Sequence, residues 1–159
     1  MTNYSDEISI RTEKLARIQS LGIIPYATKF DKKDSIVSLI GRDQKGFRAI
    51  ETIIPAPIDN VQTAGRITLY RSFGKIAFAR LQDASGEIQI MFSRENCQIN
   101  IGETGLKEVR PVSGGDEVSA YKFMEKLVDI GDFIGIQGEL FLTHKGELTI
   151  FVSQFQLLS

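Results

Sequence analysis

The chain has 159 residues, a formal net charge of −1 and 42% hydrophobic residues, enough for one globular domain or one domain with a helical appendage. This charge gives no general attraction to nucleic acid, so any such partner must be recognised locally. The apolar runs are far shorter than the roughly 18 residues of a membrane span, and the polar N-terminus is unlike a secretory signal. Both features predict a cytoplasmic protein without a membrane partner. One cysteine and one histidine exclude an intrachain disulfide and a Cys/His zinc site, and we expect Cys97 in a loop and His144 beside a turn.

The first predicted element is an amphipathic helix within DEISIRTEKLARIQSLG, with Ser5 or Asp6 as its cap and Gly22 as its end. Its apolar positions, which recur at roughly helical spacing, are Ile8, Thr12, Leu15 and Ile18. The basic residues of its outer face are Arg11, Lys14 and Arg17. Such a row of cations could follow a phosphate backbone, although a solvated helix face is its commoner role.

Residues 25 to 60 predict an irregular connector with room for short elements, because periodicity is weak there and Pro25, Pro55 and Pro57 interrupt it. The pattern then changes to a period of two. We therefore expect an N-terminal helix and connector over 1–60 and a second domain over 61–159.

Period-two alternation predicts three strands in close succession, 61–70, 75–82 and 87–92, joined by turns at 72–74 and 83–86. The first two strands carry positive charge and no acid, interleaved with aromatic rings. These residues are Arg66, Tyr70, Arg71, Phe73, Lys75, Phe78 and Arg80. Basic and aromatic residues in alternation suit a surface that pairs with phosphates and stacks on bases, and the alternative is the solvated face of a strand pair.

The later part of this domain begins with an insertion at 93–120, whose four glycines, Pro111 and three serines predict a long mobile segment outside the core. Residues 118–131 then predict a short helix, and 133–142 and 147–155 predict a closing hairpin. Five strands with a helix between the third and fourth are the layout of the OB-fold barrel. This mainly β fold binds oligonucleotides on its second and third strands and the adjacent loops.

Alternation on these strands separates a core face from an outer face. Phe78 and Gln89 fall on the outer face, where an aromatic ring can stack on a base and an amide can hydrogen-bond the base edge. Arg71 could add a fixed positive group there, although parity groups it with the inward Ile67 and Leu69 and is a weak guide at a strand end. The alternative is that Phe78 packs beneath the helix or the N-terminal connector. The predicted inward residues of the later strands are Ala77, Ala79, Leu81, Ile88, Ile90, Phe92, Ile134, Ile136, Leu140, Leu142, Leu148, Ile150 and Val152.

Four segments resemble the N-terminal anticodon-binding region of class II lysyl-tRNA synthetases. They are RTEKLARIQSLGIIPYATKF, TAGRITLYRSFGKIAFARLQDASGEIQIMF, LVDIGDFIGIQGELFLTHKGELTI and FQLLS. The pattern R...GK..F..L.D..G.IQ is shared with the aspartyl and asparaginyl enzymes, whereas IGD..G..G..F.T..GELTI and G..PY...F are typical of the lysyl enzymes. The resemblance covers most of the chain outside 31–60 and 93–120.

This resemblance implies a domain that binds the anticodon of lysine tRNA, whose bases are mostly uridines. It implies that Phe78 stacks on the central uridine and that Gln89 and Arg71 hydrogen-bond to it. It also implies that Glu147 contacts a neighbouring anticodon base. The candidate contacts to the tRNA backbone are Arg11, Lys14, Arg17, Arg66, Lys75 and Arg80.

In this family a catalytic domain that binds ATP, lysine and magnesium follows the anticodon-binding domain, and the enzyme is a homodimer. No class II motif appears before Ser159, so we expect this chain alone to hold no catalytic residue, cofactor or metal, and to bind tRNA without charging it. Three alternatives stay open. They are the corresponding domain of an aspartyl- or asparaginyl-tRNA synthetase, a free-standing OB-fold protein for single-stranded nucleic acid, and a barrel used only for protein contact.

Overall fold

The helices and strands follow the predicted order, with short strands added between them. The structure, a computed structural model, describes residues 4–21, 23, 30–41, 61–101, 104–106, 108–109, 118–143 and 145–159. Within these residues the helices are α1 (Tyr4–Ser20), α2 (Ile36–Ile40) and α3 (Ala120–Leu127). The strands are β1 (Val61–Phe73), β2 (Ile76–Gln82), β3 (Glu87–Ser93), β4 (Gln98–Ile101), β5 (Thr104–Leu106), β6 (Glu108–Val109), β7 (Val118–Ser119), β8 (Phe133–Leu142) and β9 (Leu148–Leu157). No helix of this described part is long and apolar enough to cross a membrane.

Five of these strands close on themselves to form a barrel. β1 pairs antiparallel with both β2 and β8, while β3 pairs antiparallel with β2 and β9 with β8. Parallel pairing of β3 with β9, from Gln89 opposite Thr149 to Phe92 opposite Val152, completes the ring. Closure pairs each barrel strand on both sides. Since α3 lies between the third and fourth barrel strands, the predicted five-stranded OB-fold layout is confirmed.

The predicted inward faces of β2, β3, β8 and β9 fill the barrel. Ala77, Leu81 and Ile90 are buried, and the Phe92 ring meets Phe155 edge-on with 5.8 Å between ring centroids. α3 closes one end of the barrel with a buried row of Tyr121, Phe123, Met124 and Leu127. Removal of these apolar surfaces from water stabilises the fold by about 25 cal/mol per Å² buried.

Part of the predicted insertion at 93–120 belongs to the core, contrary to expectation. β4 continues the sheet by parallel pairing with β9, where Ile99 stands opposite Phe155. Both Ile99 and Cys97 are buried, and burial raises the pKa of the Cys97 thiol. The prediction failed because the glycines, serines and Pro111 of the segment were read as a loop signal for all of it and hid a strand of four residues. The remainder of the segment, at 102–103, 107 and 110–117, lies outside the described residues.

α1 begins earlier than predicted, at Tyr4, so Asp6 lies in the first turn of the helix and neither Ser5 nor Asp6 is the cap. Its apolar face is buried only toward the C-terminal end, where Ile18 packs in the core while Ile8 is half exposed. The expected end at Gly22 lies outside the described residues.

The predicted connector contains the short helix α2. The Ser35 side chain accepts a hydrogen bond from the backbone N–H of Ser38 and caps this helix, and Ile36 and Leu39 are fully buried. These two side chains attach the connector to the core. Residues 24–29 and 42–60 of the connector, and the turn residue His144, lie outside the described residues.

Candidate nucleic-acid interface

A β-bulge in β1 determines which of its side chains face outward. The pairing with β2 passes from Ile67 opposite Leu81 to Leu69 opposite Arg80, so one extra residue is inserted into β1. Ile67 is 1% exposed in the core, whereas Leu69 is 39% exposed. Arg71 therefore shares the outer face with Leu69, and the parity that groups it with the inward Ile67 is wrong because the bulge intervenes.

The backbone around this bulge is held by the turn that precedes β8. The Ile67 N–H donates to the carbonyl oxygen of Asp132 at 2.9 Å, and the Gly131 N–H donates to the carbonyl oxygen of Ile67 at 2.7 Å. A second close approach lies nearby at Gly65, where a Cβ would come within 2.5 Å of the Gln82 carbonyl oxygen. β1 and β2 can approach this closely because Gly65 has no side chain.

The outer-face side chains form one surface across β1, β2 and β3. Arg71 stands opposite Phe78, which stands opposite Met91, and Arg80 stands opposite Gln89. Residues directly opposite in a sheet have Cβ atoms about 4.5–5.5 Å apart. A groove of about 400 Å³ lies over this surface, and we call it the outer groove. Its polar and aromatic lining comprises Arg71, Phe73, Phe78, Arg80, Gln89, Thr143, Lys145 and Glu147.

Phe78 lies half-buried between the outer groove and a small apolar cluster. That cluster consists of Met91, Phe141 and Phe151, which are buried outside the main core, with Ile76 packed beside them. These neighbours come from β2, β3, β8 and β9, so among the described residues the support of Phe78 comes from the barrel and from neither a helix nor the connector. One side of the Phe78 ring therefore packs on the barrel, and its other side lines the outer groove.

The polar groups of the outer groove are linked by hydrogen bonds. Gln89 Nε2 donates to Thr149 Oγ1 at 3.1 Å, which uses one amide hydrogen of the side chain. Arg80 donates from Nε to Glu87 at 2.6 Å and from its guanidinium nitrogen NH1 to Glu147 Oε1 at 2.5 Å. The bonds to Glu147 and Glu87 raise the pKa of Arg80, which therefore stays charged. The turn that carries Glu147 is thus tied to β2.

The predicted phosphate contacts fall into two groups. Arg11 and Lys14 both bind Asp129, and Arg11 also binds Asp132, which fastens α1 to the turn before β8. By contrast, Lys75 is exposed beside the outer groove, at the turn between β1 and β2. Arg80, which lines the outer groove, is likewise paired with two carboxylates. Arg66 lies over the Phe133 ring at 4.8 Å, and Arg17 is exposed on α1.

The structure brings Arg71, Phe78, Gln89 and Glu147 to one groove. It adds Phe73, which the sequence indicated only as one of the interleaved aromatic residues, and Lys145, which the sequence did not indicate. Phe73 and Lys145 also line this groove. The sequence feature that points to Phe73 is its position directly before a Gly-Lys turn, because a side chain at a turn faces solvent. Lys145 carried no comparable signal, because cations are common in hairpin turns.

Comparison with known proteins assigns this barrel to a family. Residues 61–158 match the family model for the tRNA anti-codon group, an OB-fold nucleic acid binding domain, and the chain belongs to this family. Lysine-tRNA ligase of Chlamydia caviae is 37% identical over 151 residues, which cover 93% of this chain and 26% of the relative. The corresponding enzymes of Carboxydothermus hydrogenoformans and Christiangramia forsetii are each 36% identical, over 96% and 100% of this chain and 25% and 24% of their own length. The chain thus spans about a quarter of the length of the curated relatives it matches, and the predicted resemblance is confirmed.

Proposed function

We propose that this chain is the part of a lysine-tRNA ligase that binds the anticodon of lysine tRNA. The observation that carries this proposal is the convergence of Arg71, Phe78, Gln89 and Glu147 on one groove of an OB-fold barrel. Similarity to lysine-tRNA ligases over nearly the whole chain favours lysine tRNA over the tRNAs of aspartate and asparagine.

The outer groove suits recognition of a uridine. Phe78 offers a ring face for stacking, which contributes about 1–3 kcal/mol per base. The Gln89 side chain, positioned by its bond to Thr149, presents an amide oxygen that can accept the N3–H of uridine, while the Arg71 guanidinium can donate to a uridine carbonyl oxygen. A cytidine in the same place would present its 4-amino group where uridine presents O4, and its N3 acceptor to the Gln89 oxygen. The Gln89 contact and an Arg71 contact to O4 would therefore both be lost.

Glu147 extends recognition to a neighbouring base. Arg80 binds Oε1 of its carboxylate, which orients the group and leaves Oε2 to accept a base N–H. A carboxylate near phosphates is repelled by them, but its pairing with Arg80 offsets this local charge. Phosphate contacts would then come from Lys75, Arg66 and Arg17.

We assign the remaining functions to the whole protein. It would attach lysine to its tRNA, with ATP and magnesium bound by a catalytic domain, and act as a homodimer in the cytoplasm. The curated relatives are about four times as long as this chain, which supports placing catalysis in other parts of the polypeptide. In this division, residues 1–60 supply a helix and connector, and residues 61–159 supply the tRNA-binding barrel without a catalytic residue or metal.

The decisive experiment compares binding of the chain to two RNAs at one fixed salt concentration. They are the lysine-tRNA anticodon hairpin and the same hairpin with its central uridine changed to cytidine. We expect the change to weaken binding by about 1–3 kcal/mol, and we expect Gln89→Ala to reduce this difference to the part that Arg71 contributes. Gln82→Ala is the matched control, because Gln82 is an exposed glutamine on β2 that does not line the outer groove. Equal binding of both hairpins by the unmodified chain would refute anticodon recognition by this groove.

A further inference from the structure

The aromatic ring of Phe73 is exposed at the end of β1. It is 59% exposed, although it lies on the rim of the outer groove and close to the apolar cluster that supports Phe78. An exposed ring of this size forgoes part of the stabilisation that burial of its apolar surface would contribute. A ligand that covers the ring would recover part of this stabilisation.

The Phe73 ring is inclined to the Phe78 ring, so one base cannot stack on both. The two ring centroids are 6.1 Å apart and the ring planes meet at 70°. Bases stacked on the two rings would be inclined to each other by a similar angle, whereas consecutive bases of a helical strand are nearly parallel. The pair of rings therefore suits two adjacent nucleotides whose bases are splayed apart, which is the form in which single-stranded RNA loops are recognised.

The turn that carries Phe73 is anchored by hydrogen bonds to a side chain of α3. The buried Tyr121 hydroxyl on α3 is hydrogen-bonded to Ser72 Oγ at 3.1 Å and to the Gly74 carbonyl oxygen at 3.2 Å. The residues on either side of Phe73 are thus bound to one hydroxyl, and Gly74 takes the positive φ of 72° that the turn requires. Because the turn that carries the ring is held in this way, its backbone loses little conformational entropy when a ligand binds.

The charges around Phe73 fit a nucleotide. Arg71 lies on the same strand, Lys75 lies across the turn, and Lys145 lines the same groove from the β8–β9 hairpin. Aromatic platforms combined with cations that pair with phosphates are the chemistry of single-stranded nucleic-acid binding. We propose that Phe73 is a second nucleobase subsite, which stacks on a nucleotide flanking the one on Phe78. This proposal rests on the proposed function, since it assumes that the outer groove binds an anticodon.

The test uses the 159-residue chain and anticodon hairpins of lysine tRNA in which the central nucleotide or one of its two neighbours is made abasic. We expect Phe73→Ala to weaken binding of the intact hairpin at least about 5-fold, the factor that corresponds to about 1 kcal/mol of stacking. The loss should vanish on the hairpin that is abasic at one flanking position and persist on the hairpin that is abasic at the centre. Phe73→Trp should retain binding, whereas Phe73→Leu, which keeps an apolar side chain without a π-face, should not.

Ile130→Ala is the matched control, because Ile130 is an exposed apolar residue of similar exposure, 62%, outside the outer groove, and it should leave binding unchanged. The proposal is overturned if Phe73→Ala has no effect, or if its loss vanishes only on the hairpin abasic at the centre, since Phe73 would then merely support Phe78. Failure of the proposed function is distinguishable: in that case Phe78→Ala would also have no effect, and the unmodified chain would bind uridine and cytidine hairpins equally.

Discussion

At the scale of single residues, some cations around the outer groove form ion pairs with carboxylates and others do not. Arg80 binds both Glu87 and Glu147, whereas within the described part of the chain Lys75 forms no ion pair. The salt dependence of nucleic-acid binding reports how many phosphates are neutralised by protein cations. A cation already neutralised by two carboxylates should add little to that number.

We therefore expect Lys75→Ala and Arg80→Ala to act differently. Lys75→Ala should reduce the slope of log K against log salt concentration by about 1, as expected for one lost phosphate contact. Arg80→Ala should leave the slope nearly unchanged and weaken base discrimination, because Glu147 loses the bond that orients it. Salt titrations measure the slope, and binding of anticodon hairpins that differ in one base measures the discrimination. An equal reduction of the slope by the two substitutions would contradict this division.

At the scale of elements, one carboxylate joins the β2–β3 turn to the connector. Asp83 accepts hydrogen bonds from the backbone N–H groups of Ser85 and Gly86 within the turn, and from the Ile36 N–H at the start of α2. It also pairs with Lys32 at 2.7 Å. Burial alone would raise the pKa of Asp83, but these bonds hold it well below its usual range. The same group thus organises a turn and positions a helix.

We expect Asp83→Ala to lower the free energy of unfolding by about 2–3 kcal/mol, because it removes charged hydrogen bonds and leaves the part-buried N–H groups of Ile36 and Gly86 without this partner. Urea unfolding followed by circular dichroism measures the change. Asp31→Ala, at an exposed aspartate of the same connector, should change stability by no more than about 0.5 kcal/mol. Equal effects of the two substitutions would show that the Asp83 network does not stabilise the fold.

At the scale of the whole molecule, α1 is attached to the barrel by a network of ion pairs. Lys14 binds Asp129 at 2.5 Å, and Arg11 binds both Asp129 and the mostly buried Asp132. The Asp129 N–H also donates to Asp132 Oδ2 at 2.9 Å. Arg11 and Lys14 were predicted on the outer face of the helix, and their pairing holds this part of the face against the turn before β8, whereas Arg17 is exposed.

This network predicts that the stability of the fold depends on pH in the acid range. Burial would raise the pKa of Asp129, but the bonds and charges of Lys14 and Arg11 lower it below its usual value. A carboxylate with a lowered pKa in the folded state stabilises the protein above its ordinary pKa of about 4 and loses this contribution as the pH falls further. We therefore expect stability to decline below about pH 4, and we expect Asp129→Asn to be less stable at neutral pH with a shallower acid decline. Urea midpoints between neutral and acid pH test this, and parallel curves for the two proteins would rule it out.

The candidate site was predictable in part. Phe78 and Gln89 could be placed on the outer face from alternation alone, because both lie within regular strands. Arg71 could not, since the bulge in β1 reverses the alternation before that residue. Phe73 was visible as an aromatic residue among basic ones at a turn, but its role as a stacking platform depends on its angle to Phe78 and on the anchor supplied by Tyr121.

The sequence by itself determined the OB-fold barrel and its core, because alternation, turn residues and helical spacing act over a few neighbouring residues. Only the tertiary structure decided which side chains share the outer groove. Arg71 reaches Phe78 because the Gly131–Asp132 turn holds the bulge in β1, and Glu147 reaches Arg80 because β3 closes against β9. These contacts join segments far apart in the chain, and contacts of that kind leave no periodic pattern in a sequence.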